Sequence, residues 1–566
     1  MKEAAQLSGS SSQLLRSESE GRCSTDDGSH SHTPFRYNVA AFCSTDAAFV
    51  DIEDATLGPL CFTETDIKAL FKVFSSNFYH HLPILDPDLT ISSMQRSSPL
   101  LFWTIVIITV RHHSGYSHCL PDLTEPYMNL LRGIITNSPM TLPTMQALLF
   151  SCTWPLPVKS QPMDPSWNYC GLCINAALYM GLHRPNTEQS LRVVGVSSGN
   201  RKTRIMTWLA CFLVGTSLSS YHGLPAPLRS ASDLETIETL IRDPIVPPQM
   251  AAHIDIYRCI VKYFTILSDS SDSIIISSLK DLFEKEIDET RNRFPGSWDT
   301  RTEVNLLTVK LYFYSAMTVK QTKQTVRPED SIQINNPARF SYRTTLSYGL
   351  STSVRLIQLI CNDLIAPDKA PSETGSDTSQ SVTILFNGLP KNYLRTLAFS
   401  AFFLIKYFAL DPACNPDEQN IARNHVIMAY SQFTRFSTDP LDESSRVATV
   451  IEALSRSQPS SSRGPYALRT SDRLGASILY DVVSTASEIR NLPVHVAREK
   501  ELPQSSSSGS NYESQQTFDN EADMPTADTW VWNTDLPQNI WNELDLGTLI
   551  APEEIYPDFS ESQGFS

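Results

Sequence analysis

The sequence predicts an all-α protein: a multi-helical body, with a disordered leader before it and a disordered acidic tail after it. Three observations carry that reading. Apolar residues recur at the three-and-four spacing of a helix for about four hundred residues, in segments punctuated by proline. Strand signals are few, the best being VTILF at 382–386, where Leu389-Pro390 occupies the place a second hairpin strand would need. The chain is also long enough to bury a core, with 566 residues of which 41% are apolar and 19% charged.

Residues 1–60 are rich in Ser, Asp, Gly and Thr and hold no sustained period, so they are expected to remain a flexible leader. From Cys61 the texture changes. Thr63 and Asp66 form a capping-box-like start, and Ile67, Leu70, Phe71, Phe74 and Phe78 follow on one helical stripe that ends before Pro83. SPLLFWTIVIITVRHH reads as a buried helix with Pro99 at its first position. MTLPTMQALLFSCTWP is another, and SWNYCGLCINAALYMGLHRP a third that is expected to run until Pro185. RKTRIMTWLACFLVGTSLSSYHGLP should run to Gly223.

Later helices are expected in EVNLLTVKLYFYSAMTV, TLSYGLSTSVRLIQLICNDLI, YLRTLAFSAFFLIKYFALDP, DEQNIARNHVIMAYSQFTRFS and SRVATVIEALSRS. Loops are placed at 184–200, 327–337 and 366–381, with a low-complexity stretch at 457–465. The division is thus a leader at 1–60, a helical body at 61–460, a further helix and Ser-rich linker at 461–515, and an acidic-hydrophobic segment at 516–566. No internal repeat recurs.

The net charge of −16 has an uneven source. After Lys500 there is no Lys, Arg or His, while thirteen acids follow, so the body is close to neutral and the acidity belongs to the tail. The body therefore lacks the basic stripe that tight phosphate neutralisation demands. Eleven scattered cysteines and an N-terminus without an apolar signal core read as an intracellular chain with reduced thiols. The longest apolar runs, 100–110 and 397–410, fall short of a membrane span, and no membrane partner is expected.

Enzyme motifs are missing: no P-loop, no dinucleotide-binding glycine fingerprint, no HExxH and no nucleophile elbow. The single Asp-Asp pair, Asp26-Asp27, lies in the leader, which argues against magnesium on aspartate-rich helices. His112, His113, His118 and Cys119 have the residue types of a zinc site but read as a polar helix end entering a loop. Cys170 and Cys173, a C-x-x-C pair without a second pair, read as small buried hydrophobes, and His80-His81 as a helix end. Arg201, Lys202 and Arg204 are taken as a solvated first turn. No enzyme activity, catalytic residue, metal or cofactor is expected of the chain.

Several segments, taken in order, resemble the regulatory middle domain of fungal zinc-binuclear-cluster transcription factors, with closest similarity to the leucine-biosynthesis-regulator subgroup. They are FKVFSSNFYHHLPILDP, SPLLFWTIVIIT, YCGLCINAALYMGLHRP, RIMTWLACFLVGTSLSSYHGLP, RTLAFSAFFLIKYFALDP and DPLDESSRVATVIEAL, the last with Arg446 where such proteins carry an Arg before a final helix. The resemblance covers about 61–460 and implies a nuclear regulator of a metabolic or biosynthetic gene cluster, with dimerisation among family members. The family's DNA-reading module needs six closely spaced cysteines holding two zinc ions. Only Cys23, Cys43 and Cys61 occupy the leader. DNA binding and zinc are therefore expected only if an N-terminal module exists beyond these residues.

The tail has a physical logic of its own. Trp530, Trp532, Leu536, Trp541, Leu544 and Leu546 are interleaved with acids, the composition of an activation segment whose acids keep its aromatics solvated until a coactivator groove captures them. These six residues are the expected coactivator contacts. Two rivals remain: a co-regulator that pairs with a complete family member, and a helical enzyme or ligand carrier whose site would show as a pocket of convergent carboxylates or histidines.

Overall fold

The computed structural model describes residues 46–135, 140–186, 199–270, 273–325, 337–365, 388–410, 415–437, 442–455, 468 and 472–489. The chain begins there with a 3-10 turn at Asp46–Phe49 and a two-stranded antiparallel hairpin, β1 (Ala55–Leu57) and β2 (Leu60–Phe62), with Ala55 opposite Phe62. This corrects the expected leader: the segment from Asp46 to 60 has a definite backbone, because Ile52, Ala55 and Phe62 give it apolar residues to bury. The expected strand at 382–386 and the loops at 187–198 and 366–381 lie outside the described residues.

Sixteen α-helices follow among the described residues. They are α1 (Glu64–Asn77), α2 (Ile91–Ser97), α3 (Pro99–His112), α4 (Leu120–Ile135), α5 (Leu142–Thr153), α6 (Ser166–Tyr179), α7 (Arg201–His222) and α8 (Ala231–Ile241). Then come α9 (Pro248–Asp269), α10 (Ser273–Arg293), α11 (Thr300–Thr325), α12 (Pro337–Gln358), α13 (Lys391–Leu410), α14 (Pro416–Phe436), α15 (Glu443–Ser455) and α16 (Ser477–Ile489).

The local rules read from the sequence operate as expected at most boundaries. Thr63 accepts from the Asp66 amide while Asp66 accepts from the Thr63 amide, closing the capping box. Thr141 and Asn200, not singled out from the sequence, cap α5 and α7 in one direction only, each side chain accepting from the amide three residues on. The five apolar residues of the first stripe, Ile67 to Phe78, are fully buried. Helix α6 differs from its expectation, ending at Tyr179 instead of running to Pro185. Gly181 takes φ 69°, which reverses the chain, and Leu182 N–H donates to Ala177 O as the helix closes.

Packing passes along the chain from neighbour to neighbour. Helix α3 lies against α1, α4 and α5, and α5 against α6 and α7. Helix α7 meets α9, which meets α10 and α11; α11 meets α12, and α12 meets α13 and α14. Helix α3 is surrounded, so every residue from Leu100 to Val110 is buried, which is why it has no polar face. At roughly 1.5–3 kcal/mol per large apolar side chain, this run is among the strongest contributors to the fold. Helix α12 continues as a π turn, Leu359–Leu364, that brings Ile360 toward the N-terminal ends of α13 and α15. No helix among the described residues is long and apolar enough to cross a membrane.

Candidate functional site

The polar centre of the molecule forms where the 154–165 connection meets the first turns of α13 and α15. On α13 the spacing of four between Lys391 and Arg395 puts both cations on one face. Asp164 precedes α6, and its Oδ1 accepts from the Ser166 amide at 3.0 Å. Its Oδ2 receives Lys391 Nζ at 2.9 Å and Arg395 Nη2 at 2.8 Å. Glu443, at the start of α15, stands 2.7 Å from Lys391 Nζ and 3.6 Å from Arg395 Nε. The Arg395 guanidinium also lies over the Tyr221 ring, 4.1 Å from its centroid. All four ionic side chains are largely buried. Burial alone would raise the carboxyl pKa of Asp164; Lys391 and Arg395 together overcome it and hold that carboxyl well below the ordinary carboxylate range.

Two cavities adjoin this cluster and share Lys391 and Tyr393 in their walls. The first, about 90 Å³, gathers His80 and His81 from a 3-10 turn after α1, His253 from α9, and Asp299 and Arg301 at the start of α11. Burial pushes His80 and His253 down to about 4, and His81 well below its usual value. At neutral pH these rings are therefore uncharged. His253 Nε2 lies 3.1 Å from Thr302 Oγ1, and Asp299 is held by Arg301 at 3.0 Å and by the Thr302 hydroxyl. Such a wall can exchange hydrogen bonds with a polar molecule. No group of three or more side chains that could hold a metal ion occurs among the described residues. Sequence analysis took His80-His81 as a helix end; the 3-10 turn fits that, and the cavity wall is an addition no local signal announced.

The second cavity, about 60 Å³, is bounded by the end of α3, the loop at 154–158, Ile360, and the first turns of α13 and α15. Arg111 Nη1 donates to Pro155 O at 2.5 Å, and Arg446 Nη1 donates to Val158 O at 2.8 Å. His112 is 8% exposed, lies tilted against Phe78 with ring centroids 5.5 Å apart, and has no hydrogen-bond partner on either ring nitrogen. Arg446 sits inside α15, buried, and not ahead of the helix as expected.

The other singled-out residues fall elsewhere. His113 caps α3 and accepts from the Gly115 amide at 3.1 Å, and His118 lies 3.4 Å from Cys119 Sγ, so the four residues at the end of α3 do not converge. Cys170 and Cys173 are buried on α6 with their thiols pushed up by burial. The expected solvated turn holds for Arg201, which pairs with Asp243 at 2.5 Å, and fails for Arg204, which is buried and donates to Gly181 O at 3.0 Å. The turn made at Gly181 is what brings a carbonyl within its reach. The six tail residues Trp530, Trp532, Leu536, Trp541, Leu544 and Leu546 lie outside the described residues.

Residues 71–237 match the fungal specific transcription factor domain family, in agreement with the family that the ordered motifs resemble. The putative transcription factor SEF1 of Eremothecium gossypii is 28% identical over 188 residues, 31% of this chain and 17% of that protein. The regulatory protein LEU3 of Saccharomyces cerevisiae is 27% identical over 187 residues, 30% of this chain and 21% of its own length. The putative transcription factor SEF1 of Kluyveromyces lactis aligns at 23% identity over 471 residues, 79% of this chain and 38% of its own. The chain thus spans between about a sixth and two fifths of the curated relatives it matches. No solved structure matches it.

Proposed function

We propose that the chain, which carries a fungal specific transcription factor domain over 71–237, is a nuclear transcriptional regulator of the fungal type. In this reading the helical body is the regulatory part and the acidic tail the activating part. The observation that carries the proposal is the joining of that family match to a segment after Lys500 with thirteen acids, no basic residue, and tryptophans set among the acids. Control of a metabolic or biosynthetic gene cluster, and pairing with family members, are the roles that the resemblance of the ordered motifs implies. DNA contact and zinc belong in this proposal to a six-cysteine module, and the body itself is assigned no cofactor.

The tail is proposed to engage coactivators through Trp530, Trp532, Leu536, Trp541, Leu544 and Leu546, with the acids holding these side chains in water until capture. Fusing residues 510–566 to a heterologous DNA-binding domain tests this. Reporter output should exceed severalfold that of the Trp530→Ala/Trp541→Ala form. Equal output from the two would sink the assignment.

A further inference from the structure

The cavity at the end of α3 differs from the charge cluster beside it in being incompletely matched. Among the described residues Arg111 forms no ion pair within 4 Å; it donates to Pro155 O, and Asp442 and Glu443 act on it from farther off. Among the described residues that line the cavity, Lys391 is paired with Glu443, and Arg111 is the buried guanidinium that ends on a carbonyl alone. The first turns of α13 and α15 also line the cavity, and helix N-termini favour an anion.

His112 adds a second, independent sign. Burial and the neighbouring Arg111 push its pKa well below the usual value, so the ring is neutral. A neutral imidazole has one donor and one acceptor. Both nitrogens are buried without partners, a cost of about 1–3 kcal/mol per unsatisfied group. The opposite wall is apolar, with Trp154, Ile360, Leu389 and Leu394. At roughly 10–15 Å³ per water-sized group, 60 Å³ has room for about four to six such groups.

We propose that this cavity binds a small monocarboxylic acid with a short apolar body, its carboxylate on Arg111 and the His112 N–H and its chain against Ile360 and Leu394. A carboxylate answers the Arg111 guanidinium and the His112 N–H together, whereas a neutral amide leaves the guanidinium without an anion and phosphate has no apolar body to set against Ile360 and Leu394. The inference rests on this geometry and not on the tail, so its failure leaves the activation test untouched.

The experiment follows the thermal unfolding of the full chain with propionate and butyrate, against propionamide, phosphate and chloride. The acids should raise the midpoint saturably, with half-effect below roughly 10 mM, while the amide and the inorganic anions do not. His112→Phe keeps the ring against Phe78 and removes both orphaned nitrogens. It should weaken the acid response at least tenfold while leaving the ligand-free midpoint equal or higher, which a purely structural histidine would not do. Arg111→Gln should abolish the response. If that variant does not fold, Leu394→Trp, which fills the cavity from its apolar side, must abolish it in a folded protein. An equal response to propionamide, an equal response to chloride or phosphate, no response to any acid, or an unchanged response in His112→Phe would each overturn the proposal.

Discussion

Two buried polar regions meet at Lys391 and are finished in opposite ways. On one side Asp164, Lys391, Arg395 and Glu443 lie within 2.7–3.6 Å of opposite charges, and Arg395 also covers the Tyr221 ring. On the other, Arg111 ends on a backbone carbonyl and His112 on nothing. Both regions are buried from elements far apart in sequence, so burial alone does not explain the contrast. The matched cluster ties the 154–165 connection to α13 and α15 as a structural joint. The unmatched one stores hydrogen-bonding capacity, which is what a binding site has to keep in reserve.

Breaking the matched side should have the largest effect. Asp164→Ala leaves Lys391 and Arg395 with one carboxylate between them and removes an acceptor at the start of α6. A loss of about 3–5 kcal/mol in urea unfolding is expected. A loss below about 1 kcal/mol would mean the cluster is solvated in practice and the contrast is false.

Acid should come next, and its sign follows from the histidines. His80, His222 and His253 are pushed down to about 4, mainly by burial. The unfolded chain therefore takes up protons below about pH 6.5 that the folded one refuses until near pH 4, and stability falls as pH drops through that window. The depressed Asp164 carboxyl works in the same direction lower down, its stabilisation being present above its unfolded pKa and lost as pH falls below about 4. Unfolding free energies from urea should be flat from pH 8 to 7 and decline below pH 6.5, by up to about 3 kcal/mol per histidine at pH 4. His253→Asn should remove part of the decline between pH 6.5 and 4 and none of the part below. The smallest effect sharpens the comparison from the unmatched side: ligand-free His112→Phe should be neutral or stabilising by up to about 1 kcal/mol in the same assay, where a matched buried histidine would cost stability.

Much of the fold was legible because its signals are local. Thr63 with Asp66, Pro99 at a helix start and Gly223 after α7 act within one turn of the chain, and the structure uses each of them. Helices α2, α4, α8, α9 and α10 lie where the sequence analysis placed none, though some carried usable marks. Ser230 with Asp233 caps α8, and Ile276, Leu279, Phe283 and Ile287 form a clean buried stripe on α10. Helix α4 was harder to see, since Pro126 interrupts it after its first turn.

The site was less legible. Asp164 is 227 residues from Lys391 and farther still from Glu443, yet the three share one ion-pair cluster, and no pattern of spacing records such a meeting. His112 was noticed for its neighbours in sequence, when its importance lies in facing inward while His113 caps the helix. From the sequence alone come the all-helical class, the caps, the stripes and the separation of a near-neutral body from an acidic tail, because each depends on residues close together or on composition. Which charges end up matched, and which imidazole ends up alone, was decided only when α3, α13 and α15 converged, since the energy of a buried polar group is set by whatever long-range neighbour reaches it.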